Sequence, residues 1–321
     1  MSFELDKALE RRRLRRRLSF WRIGAITLGL VAALVLVARS AGDGYGRSAE
    51  IARVSIDGLI TDDRAQLELL KTLGDSDRVK AVILAVNSPG GTTTGGEALF
   101  EAITELKAKK PVVAVCGTIA TSAAYMISLA SDRIFTRGNT ITGSVGVIFQ
   151  FPEVSGLLDK LGVKMHEIKS GPLKANPSPF QPLDAPGQAL AEEMVMESQQ
   201  WFLKLVAERR GLATSTVPGL EDGRIYTGRQ ALTHRLIDEI GGEREAIAWL
   251  TAAKGVESGL EVVTWKPKSG DGWDLFGGKT SLLDRLAAPL GIDLATQLEK
   301  NRLIQSLQLD GLLSLWHGSQ N

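Results

Sequence analysis

Blocks of apolar and polar residues alternate along this chain with two different periods. Residues 79–86 (VKAVILAV) are almost continuously apolar, which is typical of a strand buried on both faces of a sheet. Leucines at 67, 69, 70 and 73 follow a helical spacing that ends at Gly74. Strands that alternate with helices in this way predict an α/β fold with a mostly parallel sheet. The predicted strands are 51–56, 79–86, 111–115, 134–136 and 145–149, and the predicted helices include 95–106, 122–130, 186–210, 228–234 and 243–253.

The amino-terminal part of the chain has a different pattern. Residues 23–38 contain no charged side chain, and residues 1–22 carry seven arginines. An apolar stretch of about 20 residues can cross the hydrocarbon core of a membrane, and flanking positive charge stays on the cytoplasmic side. We therefore expect a basic cytoplasmic segment at 1–22, a transmembrane anchor at 23–38 and a linker at 39–49. A cleavable signal peptide is the alternative, with a shorter apolar region of about 7–15 residues.

The rest of the chain divides into a body and an extension. The alternation of strands and helices covers residues 50–255, which we take as one domain. Residues 256–321 are first punctuated by glycine and are then predicted to be helical from about Ser281. We expect this extension to be a packing or oligomerisation element.

Composition and charge narrow the class of protein. The chain has 321 residues, of which 44% are hydrophobic, and a net charge of +1. Residues 1–22 carry +5 of this charge, so the remainder is mildly acidic at −4. Such a body is not expected to bind nucleic acid. One cysteine and three scattered histidines exclude an internal disulfide, a CxxC redox pair and the common zinc motifs.

The first candidate site follows the buried strand, at residues 87–91 (NSPGG). Proline removes a donor, and two glycines permit backbone conformations that other residues avoid. Such a loop can present successive N–H groups to an anion. A tight turn between a strand and a helix is the alternative interpretation.

The second candidate site is Ser122, where the strand at 111–116 gives way to a helix. A serine at a helix start lies beside unpaired backbone N–H groups, which suits a nucleophile whose intermediate is an oxyanion. The alternative is an ordinary N-cap serine. Two further segments contain residues that could take part in catalysis, 143–147 (GSVGV) and 169–174 (KSGPLK). Because no histidine has a suitable partner, a desolvated lysine could act as the base for a nucleophilic serine.

Taken together, these segments resemble the bacterial signal peptide peptidases of the SppA family, in their short, single-unit form. The resemblance spans about residues 50–250 and rests on the order and spacing of NSPGG, ATSAAY, GSVGV, KSGPLK and the segment 222–241 (DGRIYTGRQA…LIDEIG). It implies a fold of the Clp protease and crotonase type, a spiral of ββα units. The family commonly has Ser-Gly-Gly-Tyr where this chain has Ser-Ala-Ala-Tyr at 122–125. This difference affects the expected fit of a substrate more than the expected identity of the nucleophile.

The resemblance also implies the roles of individual residues. Ser122 would be the nucleophile and Lys174 the general base, buried and with a lowered pKa. Ser144 would orient the lysine. The oxyanion hole would take one N–H from Gly91, or else Gly90, and one from Ser122 or its neighbour Ala123. The expected contacts with substrate are Asn87, Ser88, Pro89 and Tyr125.

The family further implies the biological setting. No metal, nucleotide or organic cofactor is expected. The expected substrates are remnant signal peptides and other apolar peptides, bound as an added strand beside the strand that leads to Asn87. A homotetramer or homo-octamer is expected, anchored in the bacterial cytoplasmic membrane with the catalytic domain on the periplasmic or extracytoplasmic side.

Other functions stay open. One is a related membrane serine–lysine protease that cleaves a specific membrane-associated protein. Another is an enoyl-thioester hydratase or isomerase, which would use carboxylates, for which Asp62, Asp63 and Glu97 are available. The third is a non-catalytic membrane scaffold. The joint presence of Ser122, Lys174, Ser144 and NSPGG argues against a scaffold.

Overall fold

The computed structural model describes residues 21–22, 24–30, 33, 49–267 and 313–315. The chain divides into two compact units, residues 1–48 and 49–321. In the first unit the described residues are helical, and no helix within the described ranges is both long and apolar enough to cross a membrane. The predicted anchor at 23–38 lies in part outside the described residues, as do nearly all of segment 1–22 and the linker.

The second unit is built on a mostly parallel sheet. Its strands are β1 (Glu50–Ile60), β2 (Val79–Thr92), β3 (Val112–Thr121), β4 (Arg133–Thr136), β5 (Ile141–Gly143), β6 (Ile225–Thr227), β7 (Glu239–Ile240), β8 (Glu261–Trp265) and β9 (Leu313–Leu315). The path of paired strands runs β6-β5-β3-β2-β1-β8, with β4 beside β3, β7 beside β4 and β9 beside β2. The pairs β2–β9 and β5–β6 are antiparallel, and the other strand pairs are parallel.

Helices connect the parallel strands, because parallel neighbours need a long crossover connection. The sequence supplies their ends: Asp63 caps the first helix, and Thr92 caps the second by accepting a hydrogen bond from Gly95 N. The helices are α1 (Arg64–Asp75), α2 (Thr93–Lys109), α3 (Ala123–Ser128), α4 (Ser155–Lys160), α5 (Ala185–Arg210), α6 (Gly228–Thr233) and α7 (Glu243–Lys254), with a 3₁₀ turn at Thr214–Thr216.

Strand β2 is buried on both faces, as its apolar run predicts. Val82, Leu84 and Val86 face the larger core, which is closed by α1, α2, α3 and α5. Ala81 and Ile83 face a smaller core under α7. The two-residue period of a strand therefore divides one apolar run between two layers of helices. The predicted α/β architecture is confirmed.

Two local predictions are wrong. A strand was predicted at 145–149, but the strand in this region is β5 at Ile141–Gly143. Residues 141–143 form it because they pair with β3. The helix predicted from about Ser281 does not extend through Leu313–Leu315, which form a strand because they pair with β2. The rest of that predicted helix lies outside the described residues.

The start of α7 provides a pH-dependent contribution to stability. The Glu245 carboxylate accepts a hydrogen bond from Gly242 N at 2.8 Å and one from Arg244 Nε at 2.9 Å. These two donors lower the pKa of Glu245 from 4.5 to about 2. The charged carboxylate therefore stabilises the fold at pH values above its unfolded pKa, and this contribution is lost as the pH falls toward 2.

We expect Glu245→Gln to lower the melting temperature at neutral pH and to lose this effect progressively as the solution is acidified. Thermal unfolding followed by circular dichroism at several pH values measures the difference. Glu257→Gln is the matched control, because Glu257 is exposed and accepts no hydrogen bond from the described residues. A difference between Glu245→Gln and the wild type that is the same at every pH would contradict this prediction.

Candidate active site

Ser122 lies at a strained turn between β3 and α3. Its backbone has φ 57° and ψ −121°, a left-handed conformation that is rare for residues other than glycine. Such strain costs of order 1–3 kcal/mol and persists where the surrounding fold imposes it, most often at functional sites. The Ser122 side chain makes no capping hydrogen bond to α3, and the residue is 1% exposed. The alternative interpretation of Ser122 as an ordinary N-cap is therefore wrong.

The glycine loop at 143–146 holds this serine from one side. Ser122 N donates to Gly143 O at 2.8 Å, and Ser122 Oγ lies 3.5 Å from Gly146 O. Gly143 and Ser144 both have positive φ, at 85° and 53°, and Ser144 N donates to Arg224 O. The structure therefore brings the predicted GSVGV segment against the predicted nucleophile.

The NSPGG loop meets the same turn from the other side. Thr121 Oγ1, adjacent to the nucleophile, donates to Pro89 O at 3.0 Å. The loop is the carboxyl end of β2 rather than a separate turn, because Gly90 and Gly91 pair with β1. A Cβ at Gly91 would overlap the carbonyl oxygen of Ile60, so only glycine permits this close pairing.

The hydrogen bonds restrict which backbone N–H groups could stabilise an oxyanion. Ser122 N is committed to Gly143 O, and Gly90 N is committed to Ser88 Oγ at 3.0 Å. Ala123 is the first residue of α3, so its N–H has no partner within that helix. Ala123 therefore stays a predicted donor, and Gly90 and Ser122 are the weaker candidates. Gly91 pairs with Ile60 of β1 and with Ser314 of β9, so its role as a donor stays a prediction.

Two of the side chains that were predicted to contact substrate are enclosed by the fold. Ser88 is fully buried, and Tyr125 is 1% exposed with its hydroxyl donating to Leu236 O at 2.8 Å. Burial also raises the pKa of Tyr125. The core already encloses both side chains within the single chain, and their contact with substrate stays a prediction. Asn87 is exposed, although its Oδ1 accepts from Thr118 N and Ile119 N, and Pro89 is half-buried.

Residues distant in sequence position the helix that follows the nucleophile. Gly96 of α2 lies so close that an added Cβ would come within 3.1 Å of Ala123 Cβ. Arg209 of α5 donates to Leu129 O at 2.8 Å and to Ala130 O at 3.1 Å, at the carboxyl end of α3. The role of Arg209 was not predicted, because no local pattern in the sequence distinguishes it from the neighbouring Arg210.

Within the described residues, no hydrogen bond joins the predicted base to the nucleophile. Lys174 is exposed, so the prediction that it is buried is wrong for the single chain. Its ammonium has no hydrogen bond or ion pair within the described residues, whereas Lys169 pairs with Glu167 at 2.6 Å. The physical reason is that residues 151–183 contain only the short helix α4 and leave many apolar side chains exposed, so the segment forms no core that could enclose the lysine.

Other reactive groups have structural positions. The carboxylates of Asp62, Asp63 and Glu97, which a hydratase would use, are exposed, and Asp63 caps α1. Cys116 is buried beside Ser128, and burial raises the pKa of its thiol to about 12, so it is not an alternative nucleophile. The described residues contain no group of three or more His, Cys, Asp or Glu side chains that could hold a metal ion.

Comparison with known proteins agrees with this geometry. The Clp protease family profile matches residues 38–139, and the profile described as Peptidase family S49 matches residues 104–257. The fold is therefore of the Clp protease type.

Three relatives have names that identify them as proteases. "Putative protease MJ0651" of Methanocaldococcus jannaschii is 37% identical over 216 residues, which cover 67% of this chain and 68% of the relative. "Protease 4" of Haemophilus influenzae is 35% identical, covering 63% of this chain and 34% of the relative. "Putative signal peptide peptidase SppA" of Enterococcus faecium is 36% identical, covering 64% of each. This chain belongs to peptidase family S49.

Proposed function

We propose that this chain is a membrane-anchored serine endopeptidase that degrades remnant signal peptides and other apolar, unfolded peptides. The observation that carries the proposal is the strained backbone of Ser122, held between the NSPGG and GSVGV loops at the carboxyl ends of β2 and β3. Ligands of open α/β sheets bind at this edge. The names of the Haemophilus and Enterococcus relatives support the same reaction class.

In the proposed reaction, Ser122 Oγ attacks the carbonyl carbon of a peptide bond. Its proton passes to a deprotonated Lys174, which then protonates the leaving amine. Backbone N–H groups of Gly91 and Ala123 stabilise the negative oxygen of the tetrahedral intermediate. Water, deprotonated by the same lysine, hydrolyses the acyl-enzyme and restores Ser122. Ser144 orients the lysine.

This mechanism requires a change in the surroundings of Lys174. A lysine acts as a general base only when it is deprotonated, and desolvation favours its neutral form. The segment that carries it exposes a set of apolar side chains, which in a soluble monomer is costly and typical of an interface. We propose that a second copy of the chain covers this segment in a homotetramer or homo-octamer and desolvates Lys174. The exposed side chains are Leu157, Leu161, Val163, Met165, Ile168, Leu173, Phe180 and Leu183.

The proposed location follows from the amino-terminal sequence. The basic residues 1–22 would stay in the cytoplasm, the apolar residues 23–38 would cross the membrane, and the catalytic unit would lie on the opposite, periplasmic or extracytoplasmic side. An anchored peptidase would meet signal peptides where they remain after secretion.

Peptide hydrolysis by the purified chain in detergent tests the proposed function. Two fluorogenic peptides of equal length are compared, one rich in leucine and alanine and the other rich in aspartate and lysine. We expect kcat/KM to be at least about tenfold higher for the apolar peptide, since apolar burial of a few side chains is worth more than 1.4 kcal/mol. EDTA should not change either rate. A folded oligomer that hydrolyses neither peptide would contradict the proposal and favour a scaffold.

A further inference from the structure

The pairing of β2 with β3 is interrupted just before the nucleophile. Two pairs of opposed residues frame the interruption, Val86–Cys116 and Ser88–Ala120. Between these pairs β2 contributes one residue and β3 contributes three, so β3 bulges. A bulge bends its strand, changes the direction of the side chains that follow and is common beside active sites. This bulge therefore sets the direction in which β3 enters the turn at Ser122.

Side chains satisfy the backbone groups of the bulge in place of the missing strand pairs. Asn87 Oδ1 accepts from Thr118 N at 3.1 Å and from Ile119 N at 3.3 Å. Thr140 Oγ1 donates to Gly117 O at 2.7 Å. A Cβ at Gly117 would lie 3.1 Å from Asn87 Oδ1, so the glycine leaves room for the Asn87 amide. Asn87 and Thr140 together hold the backbone of the bulge in one shape.

The bulge also marks the point at which β3 changes its partner strand. β3 pairs with β4 up to Cys116 and with β5 from Ile119 onward. Pairing with β5 brings Gly143 O to Ser122 N, and this contact at 2.8 Å holds the nucleophile in its strained backbone conformation. Because the pairing with β5 starts where the bulge ends, the shape of the bulge determines where Gly143 O meets Ser122 N.

We propose that Asn87 is a positioning residue for Ser122, which holds the bulge in the shape that directs Ser122 Oγ at the substrate carbonyl carbon. This inference rests on the proposed peptidase function and concerns the same site. It depends on Oδ1 of Asn87, whereas a hydrogen bond to a substrate carbonyl would use Nδ2, which has no partner within the described residues. A displacement of a reacting group by about 1 Å can cost about 10²-fold in rate.

Substitutions at position 87 separate these two uses of the amide. Asn87→Leu removes both the acceptor and the donor, whereas Asn87→Asp keeps the acceptor and removes the donor. Asp57 lies opposite position 87 on β1, so Asn87→Asp is combined with Asp57→Asn to avoid two facing carboxylates. For the apolar fluorogenic peptide, Asn87→Leu should lower kcat at least about tenfold with KM unchanged, and the double variant should recover kcat to within about fivefold of the wild type.

Two further variants complete the kinetic test. Asn139→Leu is the matched control, because Asn139 is exposed and its Oδ1 accepts from Arg229 Nη1, outside the bulge, so kcat should not change. Thr140→Val removes the hydrogen bond to Gly117 O and keeps the size of the side chain. It should also lower kcat with KM unchanged, and it tests the role of the bulge even if Asn87→Leu does not fold.

Amide hydrogen exchange of the full chain in detergent, followed by mass spectrometry, measures the bulge without any need for activity. Asn87→Leu should speed exchange at Thr118 and Ile119, because their N–H groups lose their acceptor. The double variant and Asn139→Leu should exchange like the wild type.

A higher KM with unchanged kcat in both Asn87→Leu and the double variant would overturn the proposal, because it would identify a contact between Nδ2 and substrate. Unchanged kcat in Asn87→Leu, with or without a lower melting temperature, would overturn it as well, since Asn87 would then be merely structural. Absence of hydrolysis by the wild type would instead count against the peptidase function, while the exchange measurement would still decide whether Asn87 holds the bulge.

Discussion

Ser122→Ala is expected to abolish peptide hydrolysis, lowering kcat by about 10⁴-fold or more while KM changes little. Removal of a nucleophile eliminates the covalent step, and only binding and oxyanion stabilisation are left to act on water. The side chain makes no capping hydrogen bond to α3, so its loss should leave the helix intact. The measurement is hydrolysis of the apolar fluorogenic peptide, with thermal unfolding to verify the fold.

A second substitution at the same position separates chemistry from stability. Glycine adopts positive φ without strain, so Ser122→Gly should be equally inactive but more stable than Ser122→Ala by about 1 kcal/mol. Ser128→Ala is the matched control, because Ser128 is buried on the same helix and donates to Ala124 O, away from the turn. Activity retained by Ser122→Ala would show that Ser122 is not the nucleophile. Activity lost equally in Ser128→Ala would show that the loss in Ser122→Ala comes from damage to the helix and not from removal of a nucleophile.

Substitution of the predicted base should have the second largest effect. Lys174→Met is expected to lower kcat by roughly 10³-fold or more, since a general base of this kind contributes about 10²–10⁴ and is also needed to activate the nucleophile. Lys174→Arg should be equally inactive, because arginine keeps its proton at any accessible pH. Loss of activity in Lys174→Arg would therefore identify a base rather than a positive charge.

The neighbouring lysine provides the control for this experiment. Lys169 lies in the same segment but pairs with Glu167, so Lys169→Met should retain kcat within a few fold. Peptide hydrolysis by Lys174→Arg would contradict the prediction that Lys174 is the general base. The same conclusion would follow if Lys169→Met were inactive while Lys174→Met kept its activity.

The oligomeric state bears directly on the role of Lys174. Its exposure in the single chain is compatible with catalysis only if substrate or another copy desolvates it. Polar substitutions at Ile168 and Leu173, both exposed, would then reduce assembly and activity together.

Local sequence predicted much of the sheet and the outline of the site. The run at 79–86 is apolar at every position that a doubly covered strand must bury, so β2 follows from composition alone. The position of Ser122 at a strand-to-helix junction follows from the change of hydrophobic period at that point. The short strands β6 and β7 were not predicted, because their three and two residues are too few to show a period.

The sequence by itself determined the class of the fold and the order of the glycine loops, because each depends on residue type over a few neighbouring positions. The resemblance carried by those motifs added the prediction that Ser122 is the nucleophile. Only the tertiary structure decided that Ser122 adopts a left-handed backbone instead of a cap, since Gly143 O, from a different strand, imposes it. It likewise decided that Tyr125 belongs to the core and that β9 lies on β2. These outcomes depend on contacts between residues tens to hundreds of positions apart, and such contacts leave no local pattern in a single sequence.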